Sequence, residues 1–183
     1  MFQFDVTSRN ASLDAIETAI GASPTLEFRS GSIPANTAAA DAGAALAVAN
    51  LPADWMGAAS AGSKALLGTW EDSSADAAGV ITHFRLKSGA TTRIQGLCSD
   101  PWAPSRAYVV GHQVHNGGNV YRCTVAGTAA GAGGPTGTGA SIVDGGVTWA
   151  FVQAGTDVTL SNCVVTVGQP VTVTAFTLTA GGG

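Results

Sequence analysis

The segment Tyr108-Val-Val-Gly-His-Gln-Val-His-Asn-Gly-Gly-Asn-Val-Tyr-Arg-Cys123 decides how this chain is divided. It places two short apolar runs on either side of an Asn-Gly-Gly-Asn turn, a strong signal for a β-hairpin. A second turn, Asp144-Gly-Gly146, leads into Val147-Thr-Trp-Ala-Phe-Val152. These patterns predict a small three-stranded β module over residues 101–154, inserted at a loop tip of a larger domain.

Aromatic residues determine what is expected of this insert. A unit of about 50 residues buries little surface, so aromatic packing must supply much of its core. Tyr121, Trp149 and Phe151 lie in the predicted strands and are the expected core residues. Trp102 and Tyr108 are predicted either to join that core or to form an exposed platform on which sugar rings stack.

Residues 1–100 and 155–183 predict an antiparallel β-sandwich or jelly-roll domain, because short alternating segments recur between turn signals. The clearest alternation runs from Val80 to Lys87, with Val80, Thr82, Phe84 and Leu86 expected to face inward. The next strand is expected to end at Cys98, and Glu71–Asp76 is expected to be a solvated turn. In the last two strands the alternation of apolar and polar residues is interrupted near Asn162 and near Ala175. Such an interruption predicts a β-bulge or burial on both faces.

One short helix is expected near the N-terminus. Asn10 is a candidate N-cap, Leu13, Ile16 and Ile20 fall on one helical face, and Gly21 is placed to end the helix.

The first six residues form a predicted extended arm that carries Phe2 and Phe4. The arm is expected either to contact a neighbouring subunit or to form the first strand of its own sheet.

Composition narrows the functional classes. The net charge is −4 and only 11% of the residues are charged, which argues against electrostatic binding to nucleic acid. No apolar run approaches the length of a membrane span and no signal-peptide pattern opens the chain, so synthesis in the cytosol is expected. The sparse charge also indicates a surface that partners cover.

No constellation in the sequence predicts an enzyme, a cofactor or a metal site. His83, His112 and His115 lack metal-ligand spacing, and the latter two are expected to be solvated loop residues. The Gly-rich run from Gly127 to Gly139 has no Lys and no following helix for holding a phosphate. Cys98 and Cys163 flank the insert and are interpreted either as buried free thiols or as a pair across neighbouring strands.

The insert resembles small carbohydrate-binding modules of the chitin-binding type, including those appended to virion proteins of tailed bacteriophages. The shared pattern is carried here by Trp102, Tyr108, Gly111, Val114, Gly118, Tyr121, Pro135 and Trp149. The aromatic residues that usually follow the second Tyr of those modules are replaced by Arg122-Cys-Thr-Val-Ala126.

Four segments outside the insert are distinctive: Arg9-Asn-Ala-Ser-Leu-Asp-Ala-Ile-Glu17, Leu51-Pro-Ala-Asp-Trp55, His83-Phe-Arg85 and Val171-Thr-Val-Thr-Ala-Phe-Thr-Leu-Thr179. In these segments the chain resembles small structural proteins of bacteriophages. The resemblance implies a virion component made in the bacterial host cytoplasm, but not a unique position on the particle. Together with the sandwich pattern and the sparse charge, it favours a capsid decoration or cement protein that contacts other virion proteins and forms homo-oligomers. The alternative hypothesis is a tail-tip or fibre-associated protein that binds host surface glycans through Trp102 and Tyr108.

Overall fold

A computed structural model describes residues 3–181 and contains one helix followed by short strands. The elements are α1 Val6–Ile20, β1 Thr25–Arg29, β2 Ala45–Asn50, β3 Ser63–Ala65, β4 Glu71–Asp72, β5 Gly79–Val80, β6 His83–Ser88, β7 Thr91–Pro101, β8 Ala107–Tyr108, β9 Gln113–Asn116, β10 Asn119–Val125, β11 Gly127–Thr128, β12 Ile142–Asp144, β13 Val147–Ala154, β14 Val158–Leu160, β15 Val164–Val165 and β16 Val171–Thr179. The predicted all-β sandwich with a short N-terminal helix is confirmed.

Twelve of the strands form one continuous sheet whose main path is β12-β13-β10-β9-β7-β14-β16-β3. Strands β6, β1 and β2 continue from β7 as a branch, and β4 pairs with β16. Pairing is antiparallel except at β7, which runs parallel to both β9 and β14. The insert therefore contributes six short strands, β8 to β13, and not the three that were predicted.

The segment that begins at β4 lies beside β2, the last strand of the branch. The backbone N–H of Val48 donates to the Asp72 carboxylate at 2.7 Å, and that of Asp76 donates to the Leu46 carbonyl at 2.9 Å. The predicted solvated turn at Glu71–Asp76 is wrong, because its first two residues form β4 and Asp72 satisfies a backbone donor of β2.

The space enclosed by the sheet holds the main hydrophobic core. Its largest members are Leu26, Phe28, Trp55, Trp70, Phe84, Leu86, Leu160 and Phe176. Trp70 stands between Trp55 and Phe176, with ring centroids 5.8 and 5.1 Å away. These contacts supply the apolar burial that stabilises the sandwich.

Strand β6 is buried on both faces, which the alternating pattern did not predict. Phe84 faces the core, whereas Arg85 on the opposite face lies beneath the loop at residues 36–43. Arg85 and Lys87 each donate to the Asp41 carboxylate, at 2.7 and 2.6 Å. Burial alone lowers the pKa of Lys87, but its hydrogen bonds to Asp41 and Glu27 outweigh that effect and raise the pKa.

The inward orientation predicted for Val80 and Thr82, which precede β6, is also not observed. Ile81 is fully buried, whereas Val80 and Thr82 are only half-buried. Val80 belongs to a separate short strand that pairs with Val164, and the N–H of Ile81 donates to the Cys163 carbonyl at 2.7 Å. The bulge predicted near Ala175 is confirmed, because the register with β14 shifts there.

Helix α1 begins earlier than predicted. Asp5, not Asn10, is the N-cap, and its carboxylate accepts from the N–H of Ser8 at 2.7 Å. Asn10 lies inside the helix and accepts from the N–H of Gly62 at 2.8 Å. The predicted end at Gly21 is confirmed.

The packed face of the helix is narrower than expected. Leu13 and Ile20 are buried, whereas Ile16 is 42% exposed. The extended arm is shorter than the six residues predicted, because Val6 is already helical. Phe4, which precedes the helix, is 58% exposed. Phe2 lies outside the described residues.

Cys98 and Cys163 are buried free thiols, so the two are not paired. Burial raises the pKa of both thiols well above the ordinary value, because a thiolate would be desolvated.

We expect both thiols to resist a water-soluble disulfide reagent at pH 8 in the folded protein, since the reactive form is the thiolate. Thiol titration before and after addition of guanidinium measures this. Serine variants at each position assign the signals. Rapid reaction of Cys98 or Cys163 in the folded chain would contradict the burial of these groups.

Candidate functional site at the junction of the insert

The insert is joined to the sandwich by a strand that crosses the predicted boundary. Strand β7 does not end at Cys98 but continues to Pro101, where it pairs with β9 of the insert. On its other side, Cys98 is in register with Val158, which resumes the sandwich. The chain therefore enters the insert from β7 and, after leaving it, returns as β14 beside the same strand.

Asp100 is the centre of this joint and is fully buried. One carboxylate oxygen lies 2.8 Å from Nε2 of His112. The other lies 3.0 Å from a guanidinium nitrogen of Arg106 and accepts from the N–H of Cys163 at 3.2 Å. Arg106 also donates to the side chain of Asn162 at 2.8 Å. Arg106 of the insert therefore contacts the sandwich at Asp100, before the insert, and at Asn162, after it.

The two histidines of the insert are packed into this region. His112 is 1% exposed, so the expectation of a solvated loop residue is wrong. Nδ1 of His115 lies 3.2 Å from the Ser99 hydroxyl. Burial lowers the pKa of His115, although the nearby Asp100 acts in the opposite direction.

A second buried carboxylate, Asp144, organises the interior of the insert. It accepts from the indole N–H of Trp102 at 2.8 Å and from that of Trp149 at 3.0 Å. Its other oxygen accepts from the backbone N–H of Ala130 at 3.0 Å. The Asp-Gly-Gly signal identified Asp144 only as a turn residue, and nothing in the spacing indicated that both indoles converge on it.

The aromatic residues of the insert form a core of its own. Tyr121 and Trp149 are buried, and Phe151 packs against them with its ring centroid 6.2 Å from that of Tyr121. Tyr108 is 2% exposed and meets Trp149 edge to face at 4.9 Å. Trp102 is half-buried against the same cluster.

The predicted sugar-stacking platform of Trp102 and Tyr108 is therefore wrong as a pair of exposed rings. The Tyr108 hydroxyl accepts from the N–H of Ala103 at 2.7 Å, which holds the ring inward. The insert has few other large side chains with which to form a core, so these two rings are used for its packing.

A cleft with a volume of about 630 Å³ lies between the insert and the sandwich. The pleat of β10 explains one wall: Tyr121 and Cys123 enter the insert core, and Arg122 between them faces the cleft. Val152 on β13 lies on the same wall.

The opposite wall of the cleft comes from the turn at residues 30–33 and from Val80. Its remaining lining includes Thr82, Leu97, Val110 and Gln113. The Gln113 amide donates to the carbonyls of Thr82 and Cys98, so it links insert to sandwich beneath the cleft.

Within residues 3–181 no group of three or more His, Cys, Asp or Glu side chains is arranged to hold a metal ion. In the same range, no helix has the length and apolar character needed to cross a membrane. Comparison of the chain with protein-family models, curated proteins and solved structures gives no match.

We expect Asp100→Ala to lower the free energy of unfolding by about 3–5 kcal/mol, because it leaves buried donors and a guanidinium without their carboxylate. Urea denaturation followed by circular dichroism measures the change. The control Asp54→Ala removes an exposed carboxylate and should stay within about 0.5 kcal/mol of the parent. Equal losses in the two variants would show that the joint contributes nothing.

Asp144→Ala should cost at least about 2 kcal/mol, because the indole N–H of Trp149 is then buried without an acceptor. The loss should be accompanied by a change in tryptophan fluorescence, since two indoles lose the same partner. Val143→Ala, at a neighbouring side chain that is 75% exposed, is the matched control. Unchanged stability and fluorescence in Asp144→Ala would contradict this role.

Proposed function

We propose that this chain is a structural protein of a bacteriophage particle, acting as a capsid decoration or cement protein. The class of particle comes from the resemblance of the residues outside the insert to small phage structural proteins. Its partners on this proposal are other virion proteins and further copies of the chain. The role is one of binding and assembly and not of catalysis.

The observation that carries the proposal is the position of the insert along the sheet. Strand β12, at the outer edge of the insert, and β3, which packs beside helix α1, are the two ends of one strand path. On this proposal the β3 end of the path attaches to the particle and the β12 end is displayed. The buried joint at Asp100 keeps the two ends in a fixed relation.

The helix end carries apolar groups suited to attachment. Phe4, Val6 and Ile16 are each more than 40% exposed, at 58%, 46% and 42%. Covering such side chains with a partner surface is favourable, because their apolar area leaves water.

The buried polar groups also favour a structural role. Asp100, His112 and Asp144 are the kinds of residue that enzymes use, but here each carboxylate holds backbone or side-chain donors of the joint or of the insert core. The contacts of Asp100 and Asp144 account for the burial of both carboxylates without a reaction.

The proposal is tested on particles of the phage that encodes the chain. Quantitative mass spectrometry should find a copy number comparable with that of the shell subunit, and cryo-electron microscopy should place the density on the head. Particles that lack the protein should lose their genome at a lower temperature, and supply of the protein in trans should restore the parent value.

Two outcomes would contradict this assignment. A few copies confined to the tail tip or fibres would favour the glycan-binding alternative at the host surface. Absence of the chain from purified particles would overturn the virion role altogether.

A further inference from the structure

We propose that the cleft between the insert and the sandwich binds an extended segment of a partner polypeptide in which an aliphatic side chain lies next to a carboxylate. This inference concerns the chemistry of the cleft and stands independently of the proposed role in a virion. It rests on the walls of the cleft, on its single charge and on its shape.

The walls carry five aliphatic side chains among the polar residues Ser30, Ser32, Thr82 and Gln113, and the aliphatic ones are incompletely buried. Ile33, Val80, Leu97 and Val152 are half-buried, and Val110 at the rim is 61% exposed. The packing of an aliphatic side chain among them would remove apolar surface from water on both partners. No Trp, Tyr or Phe lines this part of the described chain, so the walls offer no ring on which a sugar could stack.

Arg122 is the one charged residue that lines the cleft within residues 3–181. The guanidinium groups of Arg29, Arg85 and Arg106 each contact a carboxylate of the chain itself. Arg122 is exposed and has no such contact among the described residues. A guanidinium beside an apolar wall is suited to a carboxylate, which it can bind through two parallel hydrogen bonds.

The placement of Arg122 is fixed by the sheet. It is in register with Gln113 on one side and Ala150 on the other, and Gln113 is 3% exposed and bonded to the sandwich. The backbone that carries the charge therefore belongs to a paired central strand and not to a loop. The strand therefore directs the side chain of Arg122 to the cleft, and the side chain itself loses rotamer freedom when it binds an anion.

The shape of the cleft favours a polypeptide. A volume of about 630 Å³ lies in the range of specific ligand sites and is sufficient for a few residues. The cleft is lined by strands of the insert on one side and by the loop at residues 30–33 on the other, and an extended chain can present alternate side chains to both. The rim glycine, Gly111, has φ +89° in a turn that brings Val110 to the edge of the cleft.

The test begins with a selection of short random peptides on the immobilised full chain. We expect the recovered peptides to contain Asp or Glu next to Leu, Ile or Val. A synthetic peptide of that kind should shift the backbone amide signals of Gly31, Gly111, Arg122 and Val152 in the ¹⁵N-labelled protein. Replacement of its acid by the amide should weaken binding about tenfold, through loss of the charge-assisted bond.

Matched surface variants separate the two parts of the site. Arg122→Gln should remove the preference for the acidic peptide over its amide, and Val110→Asp should weaken binding of both. The controls are Arg93→Gln, at another exposed arginine, and Val167→Asp, at another exposed valine. Neither control should change binding. All four positions are exposed, so the variants should fold, and amide spectra of the free proteins check this.

Several results would overturn the inference. Recovered peptides without an acid, equal binding by the acid and its amide, or equal losses in Arg122→Gln and Arg93→Gln would each do so. Octanoate that binds the cleft as tightly as the best peptide would assign the site to a small amphiphilic anion and not to a polypeptide.

Discussion

The structure depends on the cost of burying a carboxylate. A fully buried carboxylate is tolerated only where charges and hydrogen-bond donors surround it, and Asp100 meets this condition with groups from two separate stretches of the chain. His112 and Arg106 come from the insert, whereas Cys163 comes from the sandwich strands that follow it. The two cores can pack in only the arrangement that satisfies all three contacts. Asp100 is carried on β7, the strand that pairs in parallel with both β9 and β14.

The fold class was predictable because apolar alternation and turn residues act locally. The hairpin around Asn116-Gly-Gly-Asn119 forms as its sequence indicates, and Tyr121 and Trp149 occupy the interior of the insert. What could not be predicted depends on contacts between distant segments. Burial of Arg85 requires a loop that lies more than 40 residues earlier in the chain, and periodicity within β6 contains no information about it.

The same distinction applies to the candidate site. Trp102 and Tyr108 were candidate sugar-binding residues because they are aromatic. In the structure they pack and form hydrogen bonds in the small core of the insert. The cleft could not be predicted because its lining comes from six separate regions of sequence, each of ordinary composition. Only Arg122 stood out in the sequence, as a charged residue directly after Tyr121 in a predicted strand. The pleat of β10 turns it away from the insert core and towards the cleft.

The course of β7 has a consequence for how such an insert can be moved between proteins. A module connected to its host only through its two chain ends could be removed and transferred to a loop of another protein. Here the host strand supplies an edge to the module's own sheet, and the host carboxylate neutralises a cation that the module carries. Excision at residues 101 and 154 would leave both pieces with an unpaired edge and an orphaned charge. Host and module must therefore be inherited, exchanged and engineered together.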